Sequence, residues 1–251
     1  MFESVFRGLA KRPPLLTVSL VASCLVTTIP QFFLGATYDS LTGDASTRNL
    51  VFFPLVSFSH DPKILFAHLA LNVSVFAFFG SVLETVLGRS RFALLTLTTF
   101  LTSTALVFSR GTPSHGASGI CWGYQVFLLF ILIAQSENAG PRAGKNPWAY
   151  FYATFILFNF VGTPAFEALN GVRLGDNYGQ YVHLASNVVA LPSLLRWRKD
   201  IEARVDGSPD PRRGERRGAG AIPVLALAAI LVYNLVATAL AVHASLAAAR
   251  T

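Results

Sequence analysis

The feature that most limits what this chain can fold into is a recurrence of apolar stretches of about 15 to 25 residues. Each is closed by charge, proline or glycine, and each has the length a helix needs to cross ~30 Å of hydrocarbon. Seven spans are expected: Leu15 to Phe33, Ile64 to Leu87, Phe92 to Phe108, Ser118 to Gln135, Trp148 to Val161, Tyr181 to Leu195 and Ile222 to Val242. The fifth and sixth are short and carry polar groups. The expected fold class is therefore an all-α membrane protein, a seven-transmembrane helical bundle. Composition agrees: 53% of residues are hydrophobic and 13% charged, whereas about a quarter of a soluble protein is charged. Two cysteines are too few for a disulfide scaffold, and Cys24 and Cys121 lie in apolar runs as expected buried thiols. The first span follows Arg7, Lys11 and Arg12 as a secretory signal would. Its apolar run is too long and lacks an obvious small-residue cleavage site, so it is expected to be retained.

The formal net charge of +7 does not mark a nucleic-acid face. With the N-terminus inside, the inner segments hold Arg7, Lys11, Arg12, Arg89, Arg91, Arg142, Lys145 and eight cations from Arg196 to Arg217. The outer side keeps only Arg48, Lys63, Arg110, Arg173 and Arg250. That asymmetry sets the orientation by the positive-inside rule and accounts for the basicity without nucleic acid. The run from Arg196 to Arg217, with Pro209 and Pro211, is expected to be a flexible inner linker. It serves as a topology signal, with contact to anionic lipid as a second reading.

Ionisable groups inside spans are costly and mark functional positions or helix pairing. His68 and Asn72 are four apart, on one helical face near the outer end of the second span. Gly116-Ala117-Ser118-Gly119 sets a serine between glycines at a helix N-terminus, where free N–H groups favour an anion. Gly179, His183, Ser186 and Ala190 form a small-residue stripe interrupted by a histidine, so a partner helix approaches closely there. In the expected topology the second, fourth and sixth spans all enter from the outer side, so His68, Asn72, Ser118 and His183 share one membrane depth. A nucleophile, a base and fixed donors are what acyl transfer needs. No acid lies near His183 in its span, so the base acts within a dyad. Glu84 lies 16 residues beyond His68, roughly 24 Å at 1.5 Å per residue, and is assigned to helix packing. His60, His115 and His243 are read as ordinary loop or span-end histidines.

These residues resemble the rhomboid intramembrane serine proteases. The family pattern is His-x-x-x-Asn in the second span, Gly-x-Ser-Gly opening the fourth, and a histidine followed by small residues in the sixth. Here these are His68 to Asn72, Gly116 to Gly119, and His183 with Ser186 and Ala190, together with the late second-span pattern Gly80 to Glu84 to Gly88. The resemblance covers about residues 50 to 195. It implies Ser118 as nucleophile, His183 as general base, and His68, Asn72 and the Ser118 N–H as oxyanion donors, with Gly116, Gly119 and Trp122 in support. It further implies a six-helix catalytic core (1–195), a basic inner linker (196–220) and an additional C-terminal transmembrane helix (221–251).

Two departures stand out. The first outer loop, Asn49 to Pro54, lacks the family's Trp-Arg pair, which bears on loop packing more than on chemistry. Trp122 replaces a Tyr or Phe four residues after the serine. It points along the Ser118 face toward His183, and a plain packing role is the other reading.

The expected activity is cleavage of transmembrane segments of other membrane proteins within the lipid bilayer, in the cell membrane. No cofactor, metal ion or nucleic acid is expected. A catalytically inactive, derlin-type client binder is the alternative, but such relatives lose the serine or histidine that this chain keeps. A small transporter is disfavoured because no inverted repeat is visible.

Overall fold

The computed structural model describes residues 13–42, 62–110, 118–138, 169, 177–205 and 220–250, and their regular structure is entirely helical. Helix α1 (Leu15–Thr42) starts directly after Pro13 and Pro14. Helix α2 (Pro62–Val75) carries its proline at the first position, where the missing N–H has no intrahelical partner to lose. It continues through a π-helical turn, Phe76–Gly80, into α3 (Ser81–Leu87) without leaving helical backbone. Gly88 then adopts φ 79° and ψ 155°, a region open essentially to glycine alone. One residue is thereby enough to turn the chain into α4 (Arg89–Arg110). The remaining helices among the described residues are α5 (Ser118–Asn138), α6 (Asn177–Val205) and α7 (Ala221–Ala248).

Among the described residues, three segments are long and apolar enough to cross a membrane: Leu15–Leu34, Leu69–Leu87 and Ala221–Ala248. A shorter apolar run covers Ser118–Ala134. Helix α4 is less apolar because it is rich in threonine and serine. Those hydroxyls are satisfied locally: Thr96, Thr99 and Ser103 each donate to the carbonyl four residues earlier, at 2.8, 3.0 and 2.8 Å. The fifth expected span, Trp148 to Val161, lies outside the described residues, as does the first outer loop.

The core centres on Tyr124 of α5, which is fully buried between Phe76 and Phe92, with ring centroids 6.1 and 5.3 Å away. Its hydroxyl lies 2.6 Å from Thr96 Oγ1, so the one polar atom of a large buried ring has a partner. Cys24 and Cys121 are buried free thiols.

The end of the bundle remote from Ser118 is stitched by Glu84. Its carboxylate accepts from the Leu16 and Thr17 N–H groups at 3.2 and 2.8 Å and from Thr17 Oγ1 at 2.9 Å, which caps the first turn of α1 from another helix. The packing assignment of Glu84 thus acquires a physical form. Gly80, one turn earlier, permits this approach, since a Cβ there would lie 3.0 Å from Thr17 Cγ2.

One expectation requires correction. Helix α6 does not stop at Leu195: it runs to Val205, so the first ten residues of the expected linker, 196–205, are helical. Trp197 and Ile201 bury themselves in the core, and that apolar face keeps the charged segment wound. Helix α7 is joined to this core along its length. It packs on α1 and α4 through Leu227, Leu231, Asn234, Thr238, Ala241 and Ser245, all buried. Their alternating spacing of four and three is the seam of one helix wound against another.

Candidate active site

Ser118 is the first residue of α5 and is partly buried; His183 lies in the second turn of α6. The His183 Nε2 stands 3.0 Å from the Ser118 Oγ. Residues 65 apart in sequence meet because α5 presents glycine twice to its neighbours. A Cβ on Gly119 would collide with the Ser103 hydroxyl of α4 and lie 3.2 Å from Val182 of α6; one on Gly123 would collide with Thr99 and lie 3.5 Å from the Ser186 carbonyl. Gly119 and Gly123, four apart, form a small-residue face that lets three helix backbones close together. Ser186 completes the seam from the other side, its Oγ 3.1 Å from that of Ser103, and Ala190 is fully buried.

Trp122 lies on His183 with ring centroids 4.9 Å apart and 21° between planes, and is itself buried. Asn72 is buried on α2 beside the first turn of α5, with Cys121 Sγ 3.9 Å from its side-chain oxygen and 4.0 Å from its carbonyl. His68 lies one turn earlier on α2; its side chain is outside what is described. Gly116, His60 and His115 fall outside the described residues, and His243 is exposed on α7.

This arrangement supports proton transfer. An imidazole with its proton on Nδ1 accepts the serine proton at Nε2, and the stacked indole limits the ring to one plane. The backbone N–H groups of an α5 first turn have no intrahelical acceptor and are suited to a developing oxyanion.

Residues 58–175 match the family model for the Rhomboid domain. The chain belongs to the rhomboid family. The matched segment of this rhomboid includes His68, Asn72 and Ser118 and ends before His183, so the Ser118–His183 contact is an observation separate from the match. No curated protein and no solved structure matches the chain. Rhomboid membership together with the apolar helices makes it an integral membrane protein.

Several residues around the rhomboid site escaped the sequence reading. Gly123, Thr99 and Ser103 set the helix spacing; the signal was present in the four-residue glycine repeat and in hydroxyls spaced four apart. Asn187 lies one turn beyond His183 and is buried, and neither its amide nitrogen nor its amide oxygen has a hydrogen-bond partner among the described residues. Gln125, two turns along α5 from Ser118, likewise has a buried side-chain oxygen with no hydrogen-bond partner among the described residues.

Proposed function

We propose that this rhomboid is an intramembrane serine endopeptidase that cleaves transmembrane segments of other membrane proteins. The observation that carries the reading is the 3.0 Å separation of Ser118 Oγ and His183 Nε2. In the proposed reaction the Ser118 hydroxyl adds to the scissile carbonyl as its proton passes to His183. The resulting oxyanion is held by the Ser118 N–H with His68 and Asn72. His183 then protonates the departing amine; a water next adds to the acyl-enzyme as its proton passes to the imidazole, which hands that proton to Ser118 Oγ as the ester bond breaks. A helical substrate shields its backbone, so local unwinding is required, and glycine, proline or small residues near the scissile bond favour it.

The accompanying architecture is seven spans, a six-helix core with an additional C-terminal helix, in the cell membrane with the N-terminus inside. The excess of Lys and Arg in the proposed inner segments supports that orientation.

A serine-directed fluorophosphonate separates this protease from an inactive client binder. It is expected to label the wild-type chain in detergent and to leave Ser118→Ala unlabelled, while the wild type alone cleaves a model transmembrane substrate. Equal labelling of both would remove Ser118 from its role; no labelling and no cleavage by either would favour the derlin-type reading.

A further inference from the structure

At the end of the bundle opposite Ser118, a cavity of about 840 Å³ opens between the α3–α4 turn and the C-terminal half of α6, bordered also by Gly220 ahead of α7. Its depth follows from α6. Lys199 is 16 residues beyond His183, roughly 24 Å along the helix, which is most of the ~30 Å hydrocarbon thickness. The cavity therefore stands at the headgroup level of the leaflet away from the candidate active site.

Its lining has two chemistries. Leu87, Leu94 and Leu195 supply an apolar side, and Leu195 is 70% exposed, facing where acyl chains would lie. The rest is cationic, with Asp200 as the sole carboxylate in the lining. Most of the cations are already engaged. Arg91 pairs with Asp200 at 2.5 Å and covers Trp197, Arg89 lies 3.6 Å from Glu84, Arg198 binds Glu202 at 2.8 Å, and Arg204 donates to the Val86 carbonyl at 2.6 Å. Those pairs form a fixed frame. Arg196 and Lys199 differ: both are exposed, they stand three apart on one face of α6, and neither has an ion-pair partner among the described residues.

We infer that this cavity binds an anionic phospholipid, with its phosphate between Arg196 and Lys199 and its acyl chains along Leu94 and Leu195. Two unpaired cations beside an apolar wall at headgroup depth match both halves of such a molecule, whereas a soluble anion has no use for the leucines. The site stands whether or not Ser118 cleaves anything.

The test uses the full chain, purified in a neutral detergent and stripped of lipid, and follows thermal unfolding as phosphatidylglycerol, phosphatidylcholine or inorganic phosphate is added. Phosphatidylglycerol is expected to raise the melting temperature saturably, and the other two to leave it nearly unchanged. The double variant Arg196→Gln/Lys199→Gln is expected to need at least about ten times more lipid for half the effect. Arg250→Gln, which removes a charge outside the cavity, is expected to respond as the wild type does. If the double variant melts lower without lipid, Lys199→Gln alone carries the comparison. Equal stabilisation by phosphatidylcholine, or an unchanged response in the variants, overturns the site. Inorganic phosphate reproducing the effect overturns the lipid assignment in favour of a soluble anion.

Discussion

Trp122 lies nearly flat on His183, 4.9 Å between ring centroids and 21° between planes. Because the imidazole also faces Ser118, the indole restricts the ring to orientations in which Nε2 reaches the hydroxyl. Trp122→Phe keeps a flat surface and is expected to hold turnover within a few-fold of wild type. Trp122→Ala frees the ring and is expected to lower kcat by roughly 10- to 100-fold, in line with a misplaced catalytic group. Cleavage kinetics of the two variants, normalised to folded protein, check this; equal losses in both would show that the tryptophan only fills space.

Ser118→Ala and His183→Ala are expected to be equally inactive against a model transmembrane substrate, and the double variant no worse. Nucleophile and base act as a unit, so their losses do not add. Folding should hardly change for Ser118→Ala, which removes one partly buried hydroxyl; His183→Ala also gives up the stack with Trp122, so its thermal midpoint is measured alongside. Turnover that survives loss of His183 would identify a different base.

Asn72→Ala and His68→Ala are each expected to lower kcat by about 10- to 1000-fold while KM changes little, as donors engaged only in the transition state do. A KM that rises in step with the loss of kcat would reassign them to substrate positioning. For Asn72 the thermal midpoint is measured alongside, since it is buried against Cys121.

Gly123→Ala places a methyl group against Thr99, so that the Thr99 side chain or the α4–α5 spacing must give way. The expected cost is about 1–3 kcal/mol, the usual range for overpacking. Thr99→Ala in the same chain vacates that space and is expected to restore most of the loss. A double variant as unstable as Gly123→Ala alone would show that the glycine is needed for some reason other than helix approach.

Removal of α7 after Ala221 tests how far the last helix belongs to the core. Its buried seam on α1 and α4 leads to the expectation that truncation lowers thermal stability markedly. Folded material should keep cleavage activity, because Ser118 and His183 sit on α5 and α6. A folded truncated product without activity would show that α7 shapes the site through α4.

What the residue pattern revealed, and what it hid, follows from the range of the interactions involved. Ser118 and His183 were legible because an ionisable group in lipid is expensive and a serine between glycines is unusual, so both stand out against an apolar background. Trp122 was legible for its helical phase relative to Ser118. The length of α6 was not, since arginines from 196 onward look like the end of a span; only the burial of Trp197 and Ile201, spaced four apart, explains why the helix persists. The docking of α7 was hidden for a related reason. A helix apolar on all sides shows no preferred face by hydropathy, and its seam is marked by small and polar residues such as Asn234, Thr238 and Ser245.

Glu84 ties the assembly of the bundle to the order in which it is made. The carboxylate that satisfies the first N–H groups of α1 belongs to a residue 67 positions later than Thr17. Those donors have no access to this acceptor until the segment that carries Glu84 has been added to the chain, so an α1 formed earlier must satisfy them with water or headgroups. The first helix is therefore finished by the second, and a bundle assembled without that contact would leave two backbone donors, those of Leu16 and Thr17, without an acceptor from the protein.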